Sequence, residues 1–355
     1  MKLVQWSLLS SLAISAFAHA LNRDQTFETI DSSEAAIIDA IAKGAAAGVQ
    51  ALYDEAVKNG VPAPLALRDA HSKAHGCVNA TFTVNAGLKP SDLDGYNGAL
   101  LQVAGLPLSA IVRYSNGAGK VQADGTPDGR GMAIKLPNVS LPVYLGDIVD
   151  GVPTTSQDFM MINFPQFFIR NVNDYALFSR DRGAFMATHG TEAAIAGAIA
   201  SSQALIKNPL GMEYFSMVPS LLGGRPMKFK VEPCPGQDAG PDVTTDNFFR
   251  ENLKTHLATK AACFDFKFQL VANGTVAEKT ALVEDPTVPW TGAFVNVARI
   301  DIPAGPLLDD KTCEGLSFNP WHATEELQPV GGIQRAREHI LEAVFQKRRA
   351  LNAGP

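Results

Sequence analysis

With 355 residues, 46% hydrophobic and 19% charged, the chain can bury a large core, as one big domain or two ordinary ones. A net charge of −6, with no basic run longer than Lys347-Arg348-Arg349, argues against a nucleic-acid partner. Residues 1–20 read as a signal peptide. Lys2 gives the positive start, Val4 to Phe17 the short apolar stretch, and Ala18-His19-Ala20 a small-x-small cleavage site. That segment is too short for an anchor, and no later stretch has eighteen uninterrupted apolar residues, so no membrane contact is expected after cleavage. The mature part, 21–355, is expected to be one secreted domain.

From Asp31-Ser32-Ser33 a helix is predicted, with Ala35, Ile38, Ile41, Ala45, Val49 and Leu52 at helical spacing up to Gly60. Pro62-Ala63-Pro64 breaks it. From Gly76 the pattern alternates: Val78, Ala80, Phe82 and Val84 fall on one side, Cys77, Asn79, Thr81 and Thr83 on the other, as in a half-buried strand. Just before it stand Arg68, His71, Lys73 and His75, a basic, imidazole-bearing mouth. Residues 85–109 read as loop and short helix. Strands are then predicted over 110–116, 131–136, 228–231, 264–270 and 294–302, with a strongly apolar run at 158–170. An Ala-rich helix is predicted over 192–207 and an amphipathic one over 332–350. Strands across 78–302 with helices at the ends define an α+β unit, with a closed or strongly curled antiparallel sheet.

Export fits three sequons, at Asn79, Asn138 and Asn273, which mark the chain as a candidate glycoprotein. The four cysteines, Cys77, Cys234, Cys263 and Cys313, suggest two disulfides, with three connectivities open. Their wide spacing lacks the close pairs of a zinc site. His71 and His75 stand at i and i+4, a metal-binding spacing only if the segment were helical.

Four segments in order resemble the catalase family, in its short single-domain branch. They are Arg68-x-x-His71-x-Lys73; Val112-Arg113-Tyr114-Ser115 with Gly129-Arg130-Gly131-Met132-Ala133-Ile134-Lys135; Asn163-Phe164-Pro165-Gln166-Phe167-Phe168-Ile169-Arg170; and Phe318-Asn319-Pro320-Trp321 followed by 329–337. The resemblance spans roughly 60–350 and implies a catalase-like antiparallel β-barrel core with flanking helices. It implies haem as cofactor and a peroxide or organic hydroperoxide as partner. His71 would be the acid–base group, Ser115 would hold its ring, and Asn163 would orient the peroxide. Arg68 and Arg113 would grip the haem carboxylates, Arg337 would precede the proximal ligand, and Phe168 would wall the pocket.

One position departs from the pattern. The family ligates iron through a tyrosine one helical turn after an arginine, and here Arg337-Glu338-His339-Ile340-Leu341 puts leucine there. The last tyrosine of the chain is Tyr214. His339 is the nearest substitute ligand, but two helical positions turn it about 200° from the required face. The reading expected is a secreted haem-dependent oxidoreductase of the peroxidase or catalase type acting on peroxide or hydroperoxide; the alternative is a catalase-fold binding or accessory protein that does not turn over peroxide. A monomer or dimer is expected.

Overall fold

The computed structural model describes residues 21–353 except 150, 203–205, 238–239 and 241–244. The signal-peptide reading therefore lies outside the described residues. The strands are β1 (Ala74–Val84), β2 (Pro107–Asn116), β3 (Arg130–Pro137), β4 (Asp147–Val149), β5 (Val152–Thr154), β6 (Ser156–Ile162), β7 (Tyr214–Phe215), β8 (Ser220–Leu222), β9 (Arg225–Pro233), β10 (Ala262–Leu270) and β11 (Phe294–Ile302). The helices are α1 (Glu34–Lys58), α2 (Ala99–Gln102), α3 (Val172–Arg180), α4 (Arg182–Thr188), α5 (Gly190–Ser201), α6 (Phe248–Leu257), α7 (Val276–Glu284), α8 (Asp310–Gly315) and α9 (Gly332–Asn352).

Eight strands close into an antiparallel barrel. The circuit runs β10-β11-β1-β2-β3-β6-β7-β9, and β9 pairs back onto β10. Alternation decides which side chains go inside. Phe82, Ile134, Phe159, Phe229, Phe266 and Phe268 fill the interior, where Phe82, Phe159, Phe229 and Phe266 meet edge-on or stacked with centroids 4.8–5.9 Å apart.

The opposite pleat builds the outer face. In register, Cys77 faces Arg113, Arg113 faces Ala133, and Ala133 faces Met160, a row crossing β1, β2, β3 and β6. One step further, Ser115 faces Gly131. This row lies under Leu316 and Phe318. A bulge between Ala74 and Gly76 leaves His75 as the extra residue of β1 and so aims it apart from its neighbours.

α9 carries two stripes. Ala336, Ile340 and Val344 repeat every four residues and pack on Ile38, Ile41, Ala42 and Val49 of α1. α1 is long and apolar enough by composition to cross a membrane, yet this stripe packs against α9. The second α9 stripe, Arg337, Leu341 and Arg348, turns toward the outer face of the barrel. Gly331 begins α9 with φ +95°, and a Cβ there would come within 2.7 Å of the Val283 carbonyl oxygen, so only glycine allows this entry.

The expected barrel and end helices are present, with differences at the boundaries. The apolar run at 158–170 is strand only to Ile162, because Pro165 cannot donate to a ladder. The Ala-rich helix spans Gly190–Ser201 instead of 192–207. Helices α3, α4, α6, α7 and α8 were not anticipated; all are short, and their burial comes from tertiary packing rather than a strong period. The disulfides join Cys77 to Cys313 and Cys234 to Cys263. Asn79, Asn138 and Asn273 are all exposed.

Candidate functional site

The site lies outside the barrel, between the row on β2 and β6 and the inner stripe of α9. His71 sits on the loop entering β1, with φ +56°, a conformation that costs a non-glycine residue roughly 1–3 kcal/mol. Surrounding contacts hold it there. Its amide donates to the Gly117 carbonyl at 3.0 Å, its carbonyl accepts from Arg68 Nε at 2.9 Å, and its Nδ1 meets Ser115 Oγ at 3.0 Å. The ring crosses β3 over Gly131, where a Cβ would stand 2.6 Å from Nδ1. Burial first, then the charges of Arg113, Arg68 and Arg337, lower the His71 pKa to about 3, so the imidazole is neutral at physiological pH.

The cavity facing His71 has a volume of about 50 Å³ and is lined also by Asp69, Arg113, Met160, Phe318 and Leu341. Leu341, at the position where the resemblance implies a tyrosine, lines the same cavity as His71. Three guanidinium groups line this space, those of Arg68, Arg113 and Arg348, and the charge of Arg337 acts on His71 from beyond it.

Arg68 is committed. It donates to both oxygens of Glu314, at 2.5 and 3.0 Å, and to the Ser72 carbonyl at 3.2 Å. Arg348 donates to the same carboxylate at 3.1 Å and to the Glu314 carbonyl at 2.7 Å. Burial tends to raise the Glu314 pKa, but the Arg68 charge and hydrogen bond, then Arg348 and Arg113, hold it below the usual carboxylate value. Arg113 lies flat over Phe318, 4.3 Å from the ring centroid, and its Nη1 has no hydrogen-bond partner among the described residues. Arg337 donates to Gln334 Oε1 at 3.0 Å and touches Met160 Sδ at 3.7 Å.

Of the residues expected in the site, His71, Arg68 and Arg113 line this one cavity, Ser115 holds the histidine, and Arg337 lies beside it through Met160. Asn163 does not line it. Its Oδ1 accepts from the Arg130 amide at 2.7 Å and its Nδ2 donates to Ser202 Oγ at 2.8 Å, which ties β3 to the end of α5. Phe168 packs with Phe167 and Phe178 in a separate cluster and is not part of the cavity wall. His339 fails as a substitute ligand: it is exposed, its nearest charged neighbour is Glu338 at 4.0 Å, and Leu341 holds the cavity position instead. The His71–His75 metal pairing also fails, because His75 is in β1, bonded to Asn116 Oδ1 at 2.9 Å and set against Phe249.

Sequence reasoning missed Glu314, Arg348 and Asp69. Glu314 had one signal, its position next to Cys313. It also missed a buried polar knot beyond Phe318. Asp147, Asp158 and His322 place ligand atoms within 4.8 Å of one another, but Lys135 Nζ donates to both carboxylates and to Ser156, so a cation is already in place. His322 Nδ1 meets Asp158 at 2.8 Å.

A closed eight-stranded barrel with this loop, row and helix defines an α+β protein of the catalase-like fold. The chain aligns with a fungal catalase at TM-score 0.59 and 15% identity, covering 84% of this chain and 60% of that one. It aligns with a bacterial catalase at 0.58 and 16%, covering 84% and 59%, and with catalase A from Saccharomyces cerevisiae at 0.59 and 15%, covering 84% and 62%. The chain therefore spans about 60% of the length of these catalases. No family model matches the sequence, and no curated protein matches it.

The residues present do not fit the haem that the resemblance implies. Pockets for small molecules and cofactors run to about 300–1,000 Å³, whereas this cavity holds about 50 Å³. Leu341 offers iron no lone pair. The guanidinium of Arg68 already carries a carboxylate from the chain itself.

Proposed function

We propose that this chain is a catalase-fold binding or accessory protein that does not turn over peroxide at an iron. One observation carries the reading: His71 and Leu341 line one cavity of about 50 Å³, where haem chemistry would need an axial ligand and a wide slot. Neutral His71 and its Ser115 partner then hold the loop and the cavity wall without an iron-bound oxidant beyond them. Haemin titration followed by absorption spectroscopy tests this. Protein that stays without a Soret band supports the reading, and one haem per chain with a shifted Soret band overturns it.

A second reading, a haem-dependent peroxide or hydroperoxide oxidoreductase, is favoured by the hydrogen bond between His71 and Ser115 at 3.0 Å. It requires the Soret band, and with it peroxide-dependent oxidation that His71→Ala abolishes.

Export belongs to both readings. Two disulfides and the exposed sequon asparagines support a secreted, glycosylated chain. A mass shift of secreted material on glycosidase treatment tests it. Sizing chromatography tests the expected monomer or dimer.

A further inference from the structure

We propose that the cavity between His71 and Leu341 is a binding site for a small monovalent oxyanion of the size of formate or nitrite. The inference rests on the haem-free reading above, since a macrocycle would take the same space. Three observations carry it, and they are independent.

The first is an imbalance of charge. Arg68, Arg113 and Arg348 line the space, and Glu314 is the carboxylate that answers Arg68 and Arg348. Arg113 feels the charges of Glu314 and Asp158, but its guanidinium sits over Phe318 and Nη1 is buried without a hydrogen-bond partner among the described residues. A buried donor of this kind costs about 1–3 kcal/mol when left unmet, and more when charged. An anion would satisfy it.

The second is a further unmet group on the same wall. Asp69 Oδ1 is buried with no hydrogen-bond partner among the described residues. Burial lifts its carboxyl above the ordinary value, against two backbone hydrogen bonds and the charges of Arg348 and Arg68, which lower it. His71 Nδ1 meets Ser115 Oγ at 3.0 Å, which fixes the ring at this wall. Arg113 and Asp69 thus leave two buried polar atoms without hydrogen-bond partners among the described residues on one chamber wall.

The third is size and access. About 50 Å³ accommodates a few water-sized groups, enough for a three-heavy-atom anion and too little for an organic cofactor. The chamber adjoins an open groove of about 920 Å³, the two sharing Leu316, Phe345 and Arg348 as wall. Lys311 and Arg349 line the groove and favour the approach of anions.

Sodium formate is the probe, with sodium sulfate at equal ionic strength as control because a tetrahedral dianion is too large. Thermal unfolding and calorimetry on the full chain should show saturable binding and stabilisation by formate, and with sulfate only the non-saturating rise of an excluded salt and no binding heat. Arg113→Gln should abolish the formate binding. Glu314→Gln, which removes the competing carboxylate while keeping its size, should tighten formate binding about tenfold. Saturable binding of both salts, formate binding unchanged in folded Arg113→Gln, or no gain in Glu314→Gln each overturns the site. Should Arg113→Gln not fold, the Glu314→Gln gain decides alone. Haemin added to the same wild-type sample separates the two proposals. A Soret band sinks the haem-free reading, whereas refusal of both haemin and formate removes the anion site alone.

Discussion

Glu314 closes on Arg68 with both carboxylate oxygens, at 2.5 and 3.0 Å, where side-chain exposures are only 13% and 8%. A pair this buried differs from a surface ion pair, because removing one member strands the other in a poorly solvated place. It is also the contact that answers two of the guanidinium groups on the outer barrel face, those of Arg68 and Arg348.

Glu314→Ala is therefore expected to destabilise the fold by about 3–5 kcal/mol, since Arg68 and Arg348 lose their shared carboxylate. Urea unfolding with an unchanged m value would measure it. A loss below about 1 kcal/mol would mean that solvent reaches the pair.

Leu341→Tyr restores a phenol at the proximal position. The cavity is too small for the added atoms, and overpacking costs roughly 1–3 kcal/mol. A lower melting temperature and no Soret band after haemin addition are expected. Haem binding gained by this single change would show that the axial ligand alone limits the site.

Gly131→Ala puts a methyl group 2.6 Å from His71 Nδ1 and 2.7 Å from Ser115 Oγ. The hydrogen bond between them cannot survive in place. The expected cost is about 1–3 kcal/mol, with a displaced imidazole signal in NMR spectra, and Ser115→Ala should shift the same signal.

Stability should fall as pH drops from about 6.5 toward about 3. Both His71 and His75 are buried, with pKa values lowered to about 3 and about 4, so in that window the unfolded chain binds protons that the folded one refuses. Glu314 adds to the same slope at its lower end, because its depressed pKa makes its contribution vanish on protonation. Denaturant titrations at several pH values should show the slope, and His71→Gln should flatten part of it. A flat profile would place the rings in contact with solvent.

Much of the barrel could be read directly, because period-two alternation in β1, β10 and β11 survives even where both faces are covered. The loop at 68–75 and the row through Arg113 were legible for a different reason: arginine, histidine and serine are uncommon on otherwise apolar strands. What could not be read depends on pairings across the chain. Glu314 is in a six-residue helix with no period of its own, and its partners are 246 and 34 residues away. Arg348 looks in sequence like part of a solvated basic run, yet its side chain is only 5% exposed. For Asn163 the resemblance implies a role in orienting a peroxide, whereas its side chain bonds the Arg130 amide of β3 and Ser202 at the end of α5.

The bond between Cys77 and Cys313 spans 236 positions, from the first barrel strand to the short helix carrying Glu314. A protease cutting any loop within that span would leave two pieces still fastened together. Such nicked material would migrate as one band in a non-reducing gel and as two after thiol treatment, so an intact band alone says little about whether the backbone is whole.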